Sequence, residues 1–135
     1  MILAVYVVAL AVIALSPVSP IRGVDLSQEL DASGFGWVTY TQLESFANVV
    51  LFVPFGLLIA LLVPTRWWWL VVVGLIVAAG GIELGQALFL PGRVPSIDDV
   101  LANSTGGVAG VVIAAVIRGT AWLVKRASRR NARAE

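Results

Sequence analysis

The chain has 135 residues, of which 59% are hydrophobic and only 13% are charged, with no cysteine and no histidine. Soluble domains are about half apolar and about a quarter charged, so this composition indicates a membrane protein. The missing residue types exclude disulfides, zinc sites of the Cys/His kind and Ser-His or Cys-His nucleophile pairs.

Four apolar segments predict an all-α, polytopic integral membrane protein with four transmembrane helices. A helix needs about 20 apolar residues to span a bilayer, and the segments that approach this length are 1–15, 47–63, 67–90 and 100–124. The first lacks a basic start and a cleavage site, which favours an uncleaved helix. We expect one membrane domain over 1–124, with an extracytoplasmic loop over about 16–46, and a basic cytoplasmic tail over 125–135.

Local signals set the predicted helix ends. Thr41 and Glu44 have capping-box spacing, which predicts that the second helix begins near residue 42. Ser96 and Asp99 predict the start of the fourth helix in the same way. Pro54 lies inside the second segment and is expected to bend it.

The basic residues predict the orientation of the helices. With four spans, seven of the nine Lys and Arg residues fall on the side of the two termini. By the positive-inside rule, both termini are then cytoplasmic and the protein lies in the plasma membrane. Membrane topology accounts for the basic tail without a nucleic-acid partner, and the tail could also hold anionic lipid headgroups.

Polar side chains within the apolar segments are predicted to share one depth, in the outer half of the bundle. By helical rise, Gln86 lies about 6 Å and Glu83 about 10 Å below the outer end of the third segment. The second and fourth helices begin at this same side. The predicted binding residues are Asn48, Glu83, Gln86, Arg93, Asp98, Asp99 and Asn103.

Helical spacing also predicts which of these residues share a face. Glu83 and Gln86, at i and i+3, project from one side of the third helix. The glycine pairs Gly81-xxx-Gly85 and Gly106-xxx-Gly110 predict close helix approach. The remaining predicted stripes are Asn48, Phe52 and Gly56 on the second helix and Asp99, Asn103, Gly106 and Gly110 on the fourth.

Each polar residue also has a purely structural interpretation. Asp98 and Asp99 can serve the dipole and cap of the fourth helix. The two asparagines can form interhelical hydrogen bonds. Glu83 can be a protonated packing acid or a partner of Arg93, and Arg93 can be a snorkelling anchor. The predicted convergence at one depth favours a site.

Three stretches, NVVLFVPFGLL, IELGQALFLPGR and SIDDVLANSTGGVAG, resemble the VanZ-like family in order and spacing over nearly the whole chain. The resemblance implies a bacterial envelope protein associated with low-level resistance to the glycopeptide teicoplanin. The positions that match the family pattern are Asn48, Phe52, Pro54, Gly56, Glu83, Gln86, Arg93, Asp99, Asn103 and Gly106.

The first functional hypothesis is a binder without catalysis. An outer-leaflet pocket would hold an anionic lipid, a cell-wall precursor or a lipoglycopeptide antibiotic. Arg93 would bind phosphate, and Glu83 would orient Arg93. Pro54 and the glycines would shape a groove for acyl or prenyl chains. No cofactor is expected.

Two alternatives stay open. A lipid phosphoester hydrolase would use Glu83 and Asp99 as candidate catalytic groups, and Glu83, Asp98 and Asp99 are weak candidate ligands for a divalent ion. A lipid transporter or flippase would need polar residues through the inner halves of the second and third helices, which are nearly all apolar. If the chain formed a homo-oligomer through the Gly106–Gly110 face, four short helices could still transport lipid without those polar residues.

Overall fold

The computed structural model describes residues 1–14, 16, 27–90 and 96–131 of the chain. These ranges contain no strand, which confirms the all-α class. The elements are α1 (Ile2–Ala14), α2 (Ser27–Ala32), α3 (Tyr40–Leu62), a 3-10 turn (Thr65–Trp67), α4 (Trp68–Phe89) and α5 (Ile97–Asn131).

Three apolar stretches are long enough to cross a membrane: Thr41–Leu62, Thr65–Phe89 and Ile97–Asn131. The first predicted span forms a shorter helix, apolar over Leu3–Ile13. At about 1.5 Å per residue it is shorter than a hydrocarbon layer of about 30 Å. The fourth span and the cytoplasmic placement of the termini therefore stay predictions. α5 continues to Asn131, past residue 125, where the tail was predicted to begin.

α3 begins before its predicted start. Thr39 is the N-cap, and its Oγ1 accepts a hydrogen bond from the Gln42 backbone N–H at 3.3 Å. The Gln42 side chain accepts one from the Thr39 N–H at 2.9 Å. The capping box predicted at Thr41 and Glu44 is therefore wrong, because glutamine fills the third helical position as well as glutamate does. From there the helix continues unbroken past Pro54.

α5 is the central helix, since it packs along α3 and against α4, while α3 and α4 meet over a short stretch. A Cβ on Gly106 would lie within 3.0 Å of the Val49 carbonyl oxygen. A Cβ on Gly110 would meet the Val53 carbonyl oxygen in the same way. Only glycine therefore permits this backbone approach, as the Gly106-xxx-Gly110 spacing predicts.

The close approach is reciprocal. A Cβ on Gly56 of α3 would collide with the backbone carbonyl of Gly107 on α5. Phe52, one turn before Gly56, is buried beside it. The predicted role of Gly81 is wrong, because a Cβ there would meet nothing within 4 Å. Gly81 is exposed on α4 and contributes no helix contact of this kind.

We call the end where α3 and α5 begin the polar end, and the end where α3 stops and α4 begins the basic end. Halfway along α3, α1 attaches through the Tyr6 hydroxyl, which donates to the Leu51 carbonyl. Pro54 has no N–H to donate to the Val50 carbonyl, so the helical hydrogen-bond ladder is weakened in the turn that contains Leu51. The buried apolar residues here are Leu10, Phe52 and Ala79. Those nearer the basic end are Ala60, Val71, Leu75, Val111 and Ala114.

Arg118 of α5 caps α3 at the basic end. Its Nη1 and Nη2 donate to the carbonyls of Val63 and Leu61 at 3.0 and 2.8 Å. Its guanidinium carbon lies 5.5 Å from the centre of the Trp68 ring. The Trp68 indole N–H in turn donates to the Ala60 carbonyl at 3.0 Å. The last carbonyls of a helix lack partners within it, so a cation placed there is stabilising.

Replacing Gly110 by alanine should lower the free energy of unfolding in detergent by about 1–3 kcal/mol, because the new methyl group forces α3 and α5 apart. Gly119→Ala is the matched control on α5, since a Cβ there meets nothing within 4 Å. The measurement is the SDS-induced loss of helical circular dichroism. Equal stability of the two variants would contradict the close contact.

Arg118→Ala should lower stability by about 1–3 kcal/mol, because two carbonyls lose a charged donor. Arg118→Lys should recover part of the loss, since an ammonium keeps the charge without the planar fork. The same unfolding assay applies, with Arg126→Ala, an exposed arginine over Trp122, as control. A neutral Arg118→Ala variant would argue against the cap.

Candidate binding site at the polar end

Three polar side chains are buried in the described part of the chain. Glu83 and Gln86 of α4 are 5% and 7% exposed, and Asn103 of α5 is 4% exposed. Burying a polar group costs free energy unless it finds a partner, and within a membrane protein such groups mark functional positions. All three lie among the predicted site residues, and all three turn toward protein rather than lipid.

Asn48 and Asp99 join α3 to α5. The Asn48 amide Nδ2 donates to Asp99 Oδ1 at 3.0 Å. The Asp99 backbone N–H donates to Ser96 Oγ at 3.4 Å, as expected if Ser96 is the N-cap of α5. Asp99 therefore belongs both to the cap of α5 and to the contact between α3 and α5. Both structural interpretations, a capping role for Asp99 and an interhelical hydrogen bond for Asn48, are consistent with these contacts.

Glu83 joins α4 to the start of α5. Its Oε2 accepts a hydrogen bond from the Ser96 backbone N–H at 2.9 Å. The first N–H groups of a helix lack internal partners, so a carboxylate is favoured there. Sequence reasoning missed this contact, although Ser96 was recognisable as the cap. Arg93, the partner predicted for Glu83, lies outside the described residues.

Two buried oxygens have no hydrogen-bond partner in the described part of the chain: Asn103 Oδ1 and Ser104 Oγ. An unpaired buried acceptor costs about 1–3 kcal/mol, so a missing donor, from water or from a ligand, is the natural explanation. Sequence reasoning did not identify Ser104 as a site residue, because a serine within a helix usually donates to the carbonyl four residues earlier. Thr105 does so with Leu101, at 2.7 Å.

The polar groups lie above an apolar floor. Phe52 is 3% exposed and packs edge-on against Phe55, with ring centres 5.8 Å apart. Leu10 of α1 and Ala79 of α4 complete this cluster. A few convergent polar groups over an apolar surface are typical of a site for small molecules.

Of the predicted site residues that the structure describes, Asp98 is not brought into this group. The Asp98 side chain is exposed in the first turn of α5, which fits its helix-dipole interpretation. Arg93 cannot be placed, since it lies outside the described residues. Within the described ranges, no three acidic, histidine or cysteine residues are grouped to hold a metal ion. Glu83, Asp98 and Asp99 thus form no such group.

The site therefore consists of a chain of contacts that runs from Asn48 through Asp99 and Ser96 to Glu83, with Asn103 one turn along α5. These residues come from three helices, as the common depth predicted. Phe52, Gly56, Gly106 and Gly110 hold the helices that carry them.

No curated protein and no solved structure matches the chain. The family described as VanZ/LLP1 matches residues 3–118, which include the predicted site residues and most of the sequence. The resemblance noted in the motifs is thereby confirmed, and the chain belongs to the VanZ/LLP1 family.

Proposed function

We propose that the polar end binds the headgroup of an amphiphile in the bacterial envelope: an anionic lipid, a cell-wall precursor or a lipoglycopeptide antibiotic. The observation that carries the proposal is Asn103, a buried side chain whose Oδ1 has no partner in the described part of the chain. Binding at this site would give tolerance to teicoplanin, the role that family resemblance suggests.

The described groups favour a ligand that presents hydrogen-bond donors. Asn103 Oδ1 accepts one hydrogen bond or more from a hydroxyl or an amide N–H. Ser104 Oγ, also unpaired, can donate as well as accept. Sugar and peptide headgroups carry such groups. A phosphate on the same ligand would be bound by Arg93 through charge-assisted hydrogen bonds, a step that rests on the sequence alone.

The tail of the ligand would remain in the bilayer. Beside the site, the outward side of α4 is apolar and exposed at Leu84, Leu88 and Phe89. An amphiphile can therefore place its headgroup among the polar side chains while its chain lies along this surface. By the positive-inside rule we expect the polar end to lie in the outer leaflet, where it would meet a cell-wall precursor or an antibiotic.

Binding without turnover fits the described residues better than the two alternatives. A metal-assisted hydrolase lacks a grouped set of metal ligands in the described ranges. A transporter needs polar groups along its path, whereas none of the buried residues described nearer the basic end is polar. A binder needs only one polar pocket with an unpaired acceptor.

Asn103→Leu should reduce ligand retention about three- to tenfold, since one neutral hydrogen bond is removed, while thermal stability in detergent stays equal or rises. Native mass spectrometry of amphiphiles that copurify from bacterial membranes measures retention. Val108→Leu on α5, at an exposed apolar position, is the control. If Asn103→Leu unfolds more readily and retains the same ligands, Asn103 serves only packing, and the proposal fails.

Cells that express the wild-type chain should tolerate more teicoplanin than cells that express Asn103→Leu at equal abundance in the membrane. The reason is that tolerance requires an occupied site. Growth across a dilution series measures the difference, with Val108→Leu again as control. Equal tolerance for wild type and Asn103→Leu would show that binding at Asn103 does not cause teicoplanin tolerance.

A further inference from the structure

An apolar groove lies between α3 and α4 toward the basic end, away from the polar site. Its cavity volume is about 480 Å³. Its walls are apolar except for the indole of a tryptophan, so the groove suits hydrocarbon rather than a polar ligand. The principal lining residues are Phe55, Ile59 and Val63 on one side and Trp67, Leu70 and Gly74 on the other.

The groove follows from how the helices pack. α5 contacts both neighbours, while α3 and α4 touch over a short stretch and leave the space between them open. Gly74 widens it, because a Cβ there would meet nothing within 4 Å. Trp67 and Leu70 at its edge are exposed to the surroundings. In a bilayer, the surroundings at this depth are lipid chains.

A cation stands at the mouth of the groove. Arg66 precedes the lining residue Trp67, and its guanidinium carbon lies 5.8 Å from the centre of that ring. Arg66 is exposed, so its donors are accessible. A planar guanidinium binds phosphate through two parallel hydrogen bonds, and an indole favours the headgroup level of the membrane. The mouth therefore combines the two groups that recognise a phospholipid head.

We propose that this groove binds one acyl chain of an anionic phospholipid of the cytoplasmic leaflet, with the lipid phosphate at Arg66. The basic end is cytoplasmic by the positive-inside rule, and the cytoplasmic leaflet is rich in anionic lipid. The second cation at this level, Arg118, is engaged by the carbonyls that end α3. Arg66 is left as the headgroup contact. This site is separate from the polar end and does not depend on its function.

Native mass spectrometry of the purified full chain, after incubation with an equimolar mixture of phosphatidylglycerol and phosphatidylcholine, tests the groove. Gly74→Phe should fill it and remove most of the bound lipid. Gly81→Phe is the matched control on α4, because Gly81 also has open space but does not line the groove. Thermal unfolding by circular dichroism verifies that both variants fold. Wild-type lipid retention by folded Gly74→Phe would overturn the proposal.

The headgroup contact is tested in the same mixture. Arg66→Gln should lower the preference for phosphatidylglycerol about fivefold, the effect expected of one cation at the membrane surface. Arg66→Lys should keep most of that preference, because the charge remains. An unchanged preference in Arg66→Gln would overturn the assignment of an anionic lipid.

Discussion

The contact between α3 and α5 through glycine determines the rest of the structure. Lipid chains are as apolar as leucine, so helices in a membrane associate through close packing rather than through the hydrophobic effect. Gly106 and Gly110 bring α5 against the carbonyls of α3. This fixes the register, which sets Asp99 opposite Asn48 and Arg118 beside the last carbonyls of α3. Along α5 these two polar contacts lie about 28 Å apart, close to the thickness of the hydrocarbon.

α4 is held differently, and its looser attachment to α3 explains where the apolar groove lies. Near the polar end, Glu83 accepts the Ser96 N–H at the start of α5. At the basic end, the Trp68 indole donates to the Ala60 and Val63 carbonyls of α3. Between these ties no glycine pair draws α4 onto α3, and a groove remains. α4 is thus fastened near both of its ends, and the apolar groove lies beside its first half.

The sequence predicts side-chain faces well and contacts between helices less well. The stripes through Asn48 and Asp99 follow from helical spacing alone, and the bundle pairs them. The sequence presents Arg118 only as one more cation near the tail, because its capping role depends on the register of α5 against α3. Gly81 is the opposite case, in which the sequence suggests a contact that the packing does not form. Glycine pairs at this spacing are common, and a Cβ on Gly81 would meet nothing within 4 Å. The sequence allows either Thr39 or Thr41 as the cap of α3, because both have a suitable partner three residues later, and the structure shows that Thr39 is used.

The same glycine contact also restricts how a ligand can reach Asn103. This residue lies four positions after Asp99 and three before Gly106, at the level where α3 and α5 close against each other. Because the backbones meet at Gly106, no headgroup can pass between these two helices toward the middle of the bilayer. Phe52 and its neighbours close the floor on the same level. A donor from the proposed ligand would therefore have to approach Asn103 from the polar end or from the side of α4. Within the described part of the chain, the fold leaves this buried acceptor without a partner although it lies beside a close backbone contact, and this cost is what the proposed ligand would offset.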